Sequence, residues 1–489
     1  MKTPTSRRIF FWTLFISYFC TTGIVLLFVF GFEHDFGQKV FVHTGSLTIK
    51  TNPKNISLKI DNKKPKSRFI NVINDSYLVM GLKPKKHTLS ISSDGFRPWN
   101  KEIGIHSGIS TEFWNILLLR KEYKRTHFNL NNIDHFFPAP DENIFASTHQ
   151  LGKTLVVHVF NTKQNKSINT FIFPKTTFTK NKHENIEWSP DNKQLITPIT
   201  HTDNTNKKDY IISYLASNKS YRLSDFINKA NLKSVRWDPK NKDSIYFIAE
   251  NTLFSTKLTF DDKDLKPILI ANNVISYDFA DDGLYIFNIQ KELLYSHDKE
   301  INNFKIITTF DTDTKNDNHR LIAYDNHRVV LIDDTKQILY IYNKDTNNDV
   351  YTKKINKNII GARFSDDGKK LIFYSPFEIF LYFTRDWNTQ PVRKRNVTQS
   401  IIRFSRKLNN IHFAKDYEHV IYTIDNDVKI TELDYRDSRI TDTIISLNEK
   451  NTTLINKHKM NKLFFLDSTD NSKRQLQSIE FPEKEKLFK

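Results

Sequence analysis

Residues 188–196 read WSPDNKQLI, and variants of that stretch return along the chain: WDPKNKDSIYF from Trp237, FADDGLYIF from Phe279 and FSDDGKKLIFY from Phe364. PAPDENIFAS from Pro138 and FAKDYEHVIY from Phe413 are weaker echoes. In each copy a short turn of Asp, Asn, Pro and Gly precedes an apolar run, and most open on an aromatic residue. These residue types favour turns through fixed φ, tolerance of the left-handed region and side-chain bonds to the backbone. Each copy is a hairpin signal, and its recurrence marks a repeat architecture. Trp188 and Trp237 lie 49 residues apart, Trp237 and Phe279 42, and Phe364 and Phe413 49. The 85 residues from Phe279 to Phe364 hold two units, with a degenerate copy near residues 321–331. Periods of about 40 to 50 residues with four strands each belong to β-propellers. Runs at 209–214, 253–259, 338–342 and 378–383 supply the Val, Ile, Phe, Tyr and Thr that strands favour.

The rest of the chain is bounded by its composition. At 489 residues it exceeds what one core supports, so two or three domains are expected. The 39 Phe, 19 Tyr and 6 Trp supply ample core material. A net charge of +18 draws a protein towards anionic lipid, wall polymer or nucleic acid. Scattered over turns and strand edges, the same lysines serve solubility and discourage edge pairing.

Residues 9–32, IFFWTLFISYFCTTGIVLLFVFGF, carry no charge and are long enough to span a bilayer as a helix. Lys2, Arg7 and Arg8 precede them, whereas Glu33, His34 and Asp35 follow. The positive-inside rule then keeps residues 1–8 in the cytoplasm and places everything after Phe32 outside. A cleaved signal peptide would have a shorter apolar core and a small-x-small site, which residues 28–34 do not offer. The expectation is a single-pass signal anchor in the cell membrane. Cys20, the one cysteine, falls inside it and reads as a small hydrophobe; no disulfide framework is possible.

Residues 33–44 are expected to be a linker. Residues 45–119 read as a compact antiparallel β-sandwich. Leu47 and Ile49, then Ile56, Leu58 and Ile60, alternate with polar residues as half-buried strands do. Asn52-Pro53-Lys54-Asn55 joins the first two strands. Further strands follow at 87–92 and 112–119, with turns at Ser93-Asp94-Gly95 and His106-Ser107-Gly108.

In order of elements this unit resembles the PEGA domain, a small β-sandwich of bacterial and archaeal surface proteins. The matching residues are Pro53 to Asn55, Leu58-Lys59-Ile60-Asp61-Asn62, Leu82-Lys83-Pro84 and Gly95-Phe96. Asn55 and Asn62 stand where the family has Gly, and Lys85 or Lys86 takes a third Gly slot. Asn tolerates positive φ best among the other residues. The repeats resemble WD40-like propeller blades of the TolB type, most closely at Trp188-Ser189-Pro190-Asp191-Asn192 and Phe364-Ser365-Asp366-Asp367-Gly368. Both resemblances imply binding or scaffolding rather than catalysis.

Motifs for phosphate loops, dinucleotides, zinc proteases and serine hydrolases are missing from the sequence. Asp311-Thr312-Asp313 with Asn316, Asp317 and Asn318 looks like a calcium loop, but Asn316 and Ile322 hold the slots that need Gly and Glu. That stretch and 345–349 therefore read as solvated loops. The 16 His show no metal spacing. FTRDWNTQPVRKR at 383–395 interleaves basic residues with Trp387, as a nucleic-acid binder would or as a loop with a locally packed Trp would. Trp99 and Trp114 read as sandwich core.

The expected fold is therefore mainly β: a transmembrane helix, a PEGA-like sandwich, and a seven- or eight-bladed propeller over 120–489. Anchors near Phe137, Trp188, Trp237, Phe279, Leu321, Phe364, Phe413 and His458 give eight candidate blades, the last closed by a strand from 123–130. The expected function is a membrane-anchored extracytoplasmic interaction scaffold without catalysis. It would hold the lipid bilayer through residues 9–32, with an envelope protein or wall component as partner. An anionic-polymer binder (DNA or acidic glycan) and a hydrolase at the channel mouth are the alternatives. No catalytic, cofactor-binding or metal-ligating residue is assigned, and no cofactor is expected.

Overall fold

The computed structural model describes residues 4–29, 31–35, 40–65, 68–71, 74–140, 143–179, 184–229, 231–258, 265–297, 303–313, 318–450, 452–468 and 474–482. The one α-helix among the described residues, Pro4–Val29, contains a stretch, Thr5–Leu27, apolar and long enough to cross a membrane. Thr13 and Thr21 donate their hydroxyls to the carbonyls of Ile9 (2.8 Å) and Ser17 (2.6 Å), so neither needs water. Gly31, at φ +78°, then redirects the chain. The expected linker is in fact a hairpin: Phe32–Asp35 pairs antiparallel with Val40–His43. The Gly31 carbonyl accepts both the backbone N–H and the hydroxyl of Thr44, each at 2.8 Å, which ties the hairpin's base to the next unit.

That unit is a two-sheet sandwich. One sheet orders Arg68–Asn71, Ser76–Leu82, Gly45–Asn52 and Ser110–Leu117, and the other Ser57–Ile60, Lys86–Ser92 and Trp99–Gly104. Leu47, Ile49, Leu58, Leu89, Ile91 and Phe113 fill the space between. The sandwich is not wholly antiparallel as expected, because Gly45–Asn52 and Ser110–Leu117 run parallel. The turn at 53–56 carries the chain to the opposite sheet instead of folding it back. One flank of the first strand is thereby left for the last strand to occupy. Asp61 (φ 50°) and Asn62 (φ 63°) form a two-residue turn of the left-handed kind, where Asn replaces Gly without loss. Asn55 is not among the positive-φ residues, so its identity answers no such need.

From residue 126 onwards the described residues form eight antiparallel sheets, each a meander of about four strands. Successive sheets cover 135–173, 176–222, 233–271, 274–309, 319–356, 361–403 and 408–446, and seven of the anchors read from the sequence fall in strands of separate sheets, while His458 stands in the turn between Leu454–Lys457 and Lys462–Ser468. The eighth combines Leu454–Lys457, Lys462–Ser468 and Arg474–Glu480 with Thr126–Asn131, which pairs antiparallel to Arg474–Glu480. The closing strand thus lies where the sequence reading puts it.

Eight separate apolar clusters join these sheets pairwise, and the last joins the eighth sheet back to the first. Trp188 and Leu195 pack between the first and second sheets, Trp237 between the second and third, and Phe413 between the sixth and seventh. Phe128, Phe136, Phe145 and Phe464 then close the ring. First strands of neighbouring sheets approach one another, which puts them at the centre.

The recurring turn has one physical cause. The buried Ser189 hydroxyl donates to Asp191 Oδ1 (2.7 Å) and accepts the Gln194 N–H (3.0 Å), while Asn192 sits at φ 61°. Ser365 repeats this with Asp367 (2.6 Å) and Lys370 (3.0 Å), and Gly368 sits at φ 64°. Two distant segments share one hydrogen-bond pattern, so their sequence likeness is turn chemistry.

Candidate functional site

The copy at 413–419 breaks that pattern. Ala414 occupies the Ser position, and Tyr417 (φ 52°) the position held elsewhere by Asn192 or Gly368. Positive φ is uncommon for a bulky residue and marks a place to look. Instead of a hydroxyl, the turn is held by Asp416, which accepts the Glu418 N–H (2.9 Å) and lies 2.7 Å from Nδ1 of His419. Glu418 in turn pairs with the buried Lys370, whose ammonium also lies 3.9 Å from the centre of the Trp387 ring.

This charged corner abuts the sandwich. Lys101 and Glu432, both buried, pair at 2.6 Å. Lys101 also donates to the Arg436 carbonyl (2.8 Å), and Glu432 accepts the Ile440 N–H (2.8 Å). Arg97 pairs with Asp442 (2.7 Å), and the Glu102 N–H reaches Asp437 (2.9 Å). Gln390, at the tip of the 383–395 loop, accepts the Glu112 N–H (3.0 Å) and donates to the Ser110 carbonyl (2.8 Å). Ser110–Leu117 is an edge strand, so this amide covers polar backbone that would otherwise template unwanted pairing. Arg436 stacks 3.8 Å from the centre of the Phe113 ring.

Trp387 is packed locally: Lys370 lies over its ring, its backbone pairs with Arg393 (2.8 and 2.9 Å), and the loop docks on the sandwich. Trp99 is core, 5% exposed, with its indole N–H 3.4 Å from Glu432. Trp114 is not. It is half-buried beside a cleft of about 600 Å³ between the sandwich and the corners of the seventh and eighth sheets. Lys50, Asn52, Lys415 and Asn461 share that cleft, with Phe481 in its apolar lining.

Burial works against the charge on His419, but Asp416, with Glu432 and Glu418 behind it, holds the imidazole pKa above the usual histidine value. For Asp416 burial likewise opposes ionisation, and His419 pulls its pKa below the ordinary carboxylate value. A proton held more tightly in the folded state stabilises fully below the ordinary histidine value of about 6.5 and is lost as pH rises through the raised one. The unfolding midpoint is therefore expected to fall as pH climbs from about 6.5 towards alkaline values. The His419→Gln protein should lose much of that slope. Thermal melts across the range check this, and an unchanged slope in the variant would assign it to other groups.

At the centre of the ring, Arg236 bridges Glu187 (2.9 Å) and Asp278 (2.6 Å), and Asp278 accepts the Ala323 N–H (2.9 Å), tying four sheets together. Further round, Arg363 meets His412, whose pKa is pushed well below the usual value by burial and by the neighbouring guanidinium. Of the calcium-like residues, Asn316 and Asp317 lie outside the described residues. Thr312 is buried with its hydroxyl 3.2 Å from His319 Nε2, and Asp313 pairs with Lys336 (3.2 Å). Asp345 is not solvated as expected: it is 4% exposed, accepts the N–H groups of Asn347 (2.9 Å) and Asp349 (2.8 Å), and pairs with Arg395. Among the described residues no cluster of three metal-ligating side chains occurs.

No sequence motif covers the junction, yet one signal marks it. In Trp99–Gly104 the inward positions are Trp99, Lys101 and Ile103, so a lysine occupies an apolar phase and needs a buried partner.

A closed ring of antiparallel four-stranded meanders defines a β-propeller fold of the WD40-like kind. Similar solved structures include the β-propeller domain of Myceliophteria thermophila Cps50 (Swd1), 12% identical over 72% of this chain and 98% of that one (TM-score 0.41). Saccharomyces cerevisiae Sqt1 is 10% identical over 74% and 98% (TM-score 0.45). The Dos1 propeller is 10% identical over 75% and 96% (TM-score 0.47). The likeness is one of fold alone. No family profile and no curated protein matches the chain.

Proposed function

We propose that this chain is a membrane-anchored, extracytoplasmic interaction scaffold without chemistry of its own. In this reading residues 1–8 are a cytoplasmic tail, 9–32 the anchor, 45–119 a PEGA-like spacer, and 120–489 an eight-bladed propeller that presents a partner-binding face. One observation carries the reading. The sandwich occupies the face bearing Ala414–His419 and Gln390, while the opposite face exposes Leu151 (65%), Ile289 (39%) and Phe377 (41%) at or beside the turns between second and third strands. Apolar side chains standing on the turns of a rigid ring are what a protein partner's anchors pack against.

A photo-crosslinking amino acid placed at Leu151 or Phe377 in whole cells is expected to give a discrete adduct with one protein. The same group at Val350, exposed on the outer strand Val350–Asn356, should give none. Equal labelling from both places, or none from either, would remove the case for this face.

A further inference from the structure

We propose that the cleft beside Trp114 binds an acidic saccharide, a short uronate-bearing chain. This goes beyond the protein-binding face and rests on the scaffold reading only for where such a ligand is met, not for the binding itself.

The parallel pair builds one wall. In Gly45–Asn52 the core-facing residues are Leu47, Ile49 and Thr51, so Lys50 and Asn52 point the other way. The register aligns Ile49 with the buried Phe113 and Thr51 with the buried Ile116, which leaves Trp114 beside Lys50 on the outer surface. Opposite stand Lys415 and Asn461 from the corners of the seventh and eighth sheets, joined by a hydrogen bond of 2.9 Å. The Trp114 N–H is held by Glu112 at 2.9 Å, so the indole is fixed while remaining part exposed.

These groups match a pyranose acid. An indole packs against the C–H face of a sugar ring, amides pair with hydroxyls, and ammonium groups pair with the carboxylate. Among the described residues the side chains of Lys50, Asn52 and Asn115 make no hydrogen bond or ion pair, so all three have capacity left. The carboxylate in the lining, Asp416, is already engaged by His419 and the Glu418 N–H, which limits its repulsion of an anion. About 600 Å³ suits two or three sugar rings. A nucleic acid would want a longer cationic track than two lysines provide.

Full-length protein in detergent micelles, titrated calorimetrically with trigalacturonate, is expected to show saturable one-to-one binding. The methyl-esterified trisaccharide should bind about tenfold more weakly or worse. Trp114→Ala and the Lys50→Gln/Lys415→Gln pair should each weaken trigalacturonate by a similar factor. The lysine pair, part-exposed or exposed in the fold, decides the matter if Trp114→Ala alters the melting curve. No saturable heat at millimolar sugar, equal binding of the esterified form, or indifference to the lysine pair would each overturn the proposal. So would hexaglutamate binding as tightly at the same residues. Crosslinking from Leu151 and Phe377 is scored separately, so a failure here leaves the partner face standing.

Discussion

Replacing Glu432 with Gln is expected to destabilise the sandwich–propeller junction by about 3–5 kcal/mol, the cost of stranding one member of a buried ion pair. Lys101 and Glu432 expose 1% and 8% of their side chains, so water screens neither. The amide keeps the shape of the carboxylate but removes its charge, leaving the Lys101 ammonium with the carbonyls of Arg436 and Asp434. The paired change Lys101→Met with Glu432→Leu should recover most of the loss, because two apolar groups need no partner. Urea unfolding followed by indole fluorescence reads the change, since Trp99 adjoins Glu432. A shift below about 0.5 kcal/mol would show a pair behaving like an exposed one and would sink the idea of a dry junction.

The second large effect is expected from Phe128→Ala. Phe128 is 2% exposed and packs against Phe160 of the first sheet (6.1 Å between ring centres) and Phe464 of its own eighth sheet (5.9 Å), so it holds the closing strand within its sheet and to the next one round the ring. Truncating a buried Phe costs about 3–5 kcal/mol through lost contact and residual cavity. The loss should be local as well as large. Amide exchange should speed up at both Thr126–Asn131 and Arg474–Glu480, while the middle sheets keep their protection. Uniform loss of protection around the ring would mean that it opens as one unit and that closure is no weak point.

Much of the ring was legible because its turns are local. Ser189 and Ser365 each make their bonds within five residues, so their chemistry shows as a short motif. The junction was not legible for the opposite reason. Lys101 and Glu432 are 331 positions apart, and neither belongs to a motif. Trp114 was misplaced because alternation alone does not say that Gly45–Asn52 and Ser110–Leu117 run parallel, with an irregularity near Thr51 that sets which face each residue takes. Residues 33–44 hid a hairpin because their few apolar residues give little alternation to read. The one legible trace of the junction was a lysine in the inward phase of Trp99–Gly104.

The ring is sealed by pairing its first strand, Thr126–Asn131, with its last, Arg474–Glu480. A growing chain is thereby given a schedule. The sandwich has all its strands once residue 117 has appeared and can settle at once. Its Lys101 must wait more than three hundred further residues for Glu432, and the ring cannot seal until Arg474–Glu480 has emerged. Until then the open ring ends in two unpaired edges, which makes that interval the time at which this protein is most exposed to wrong partners.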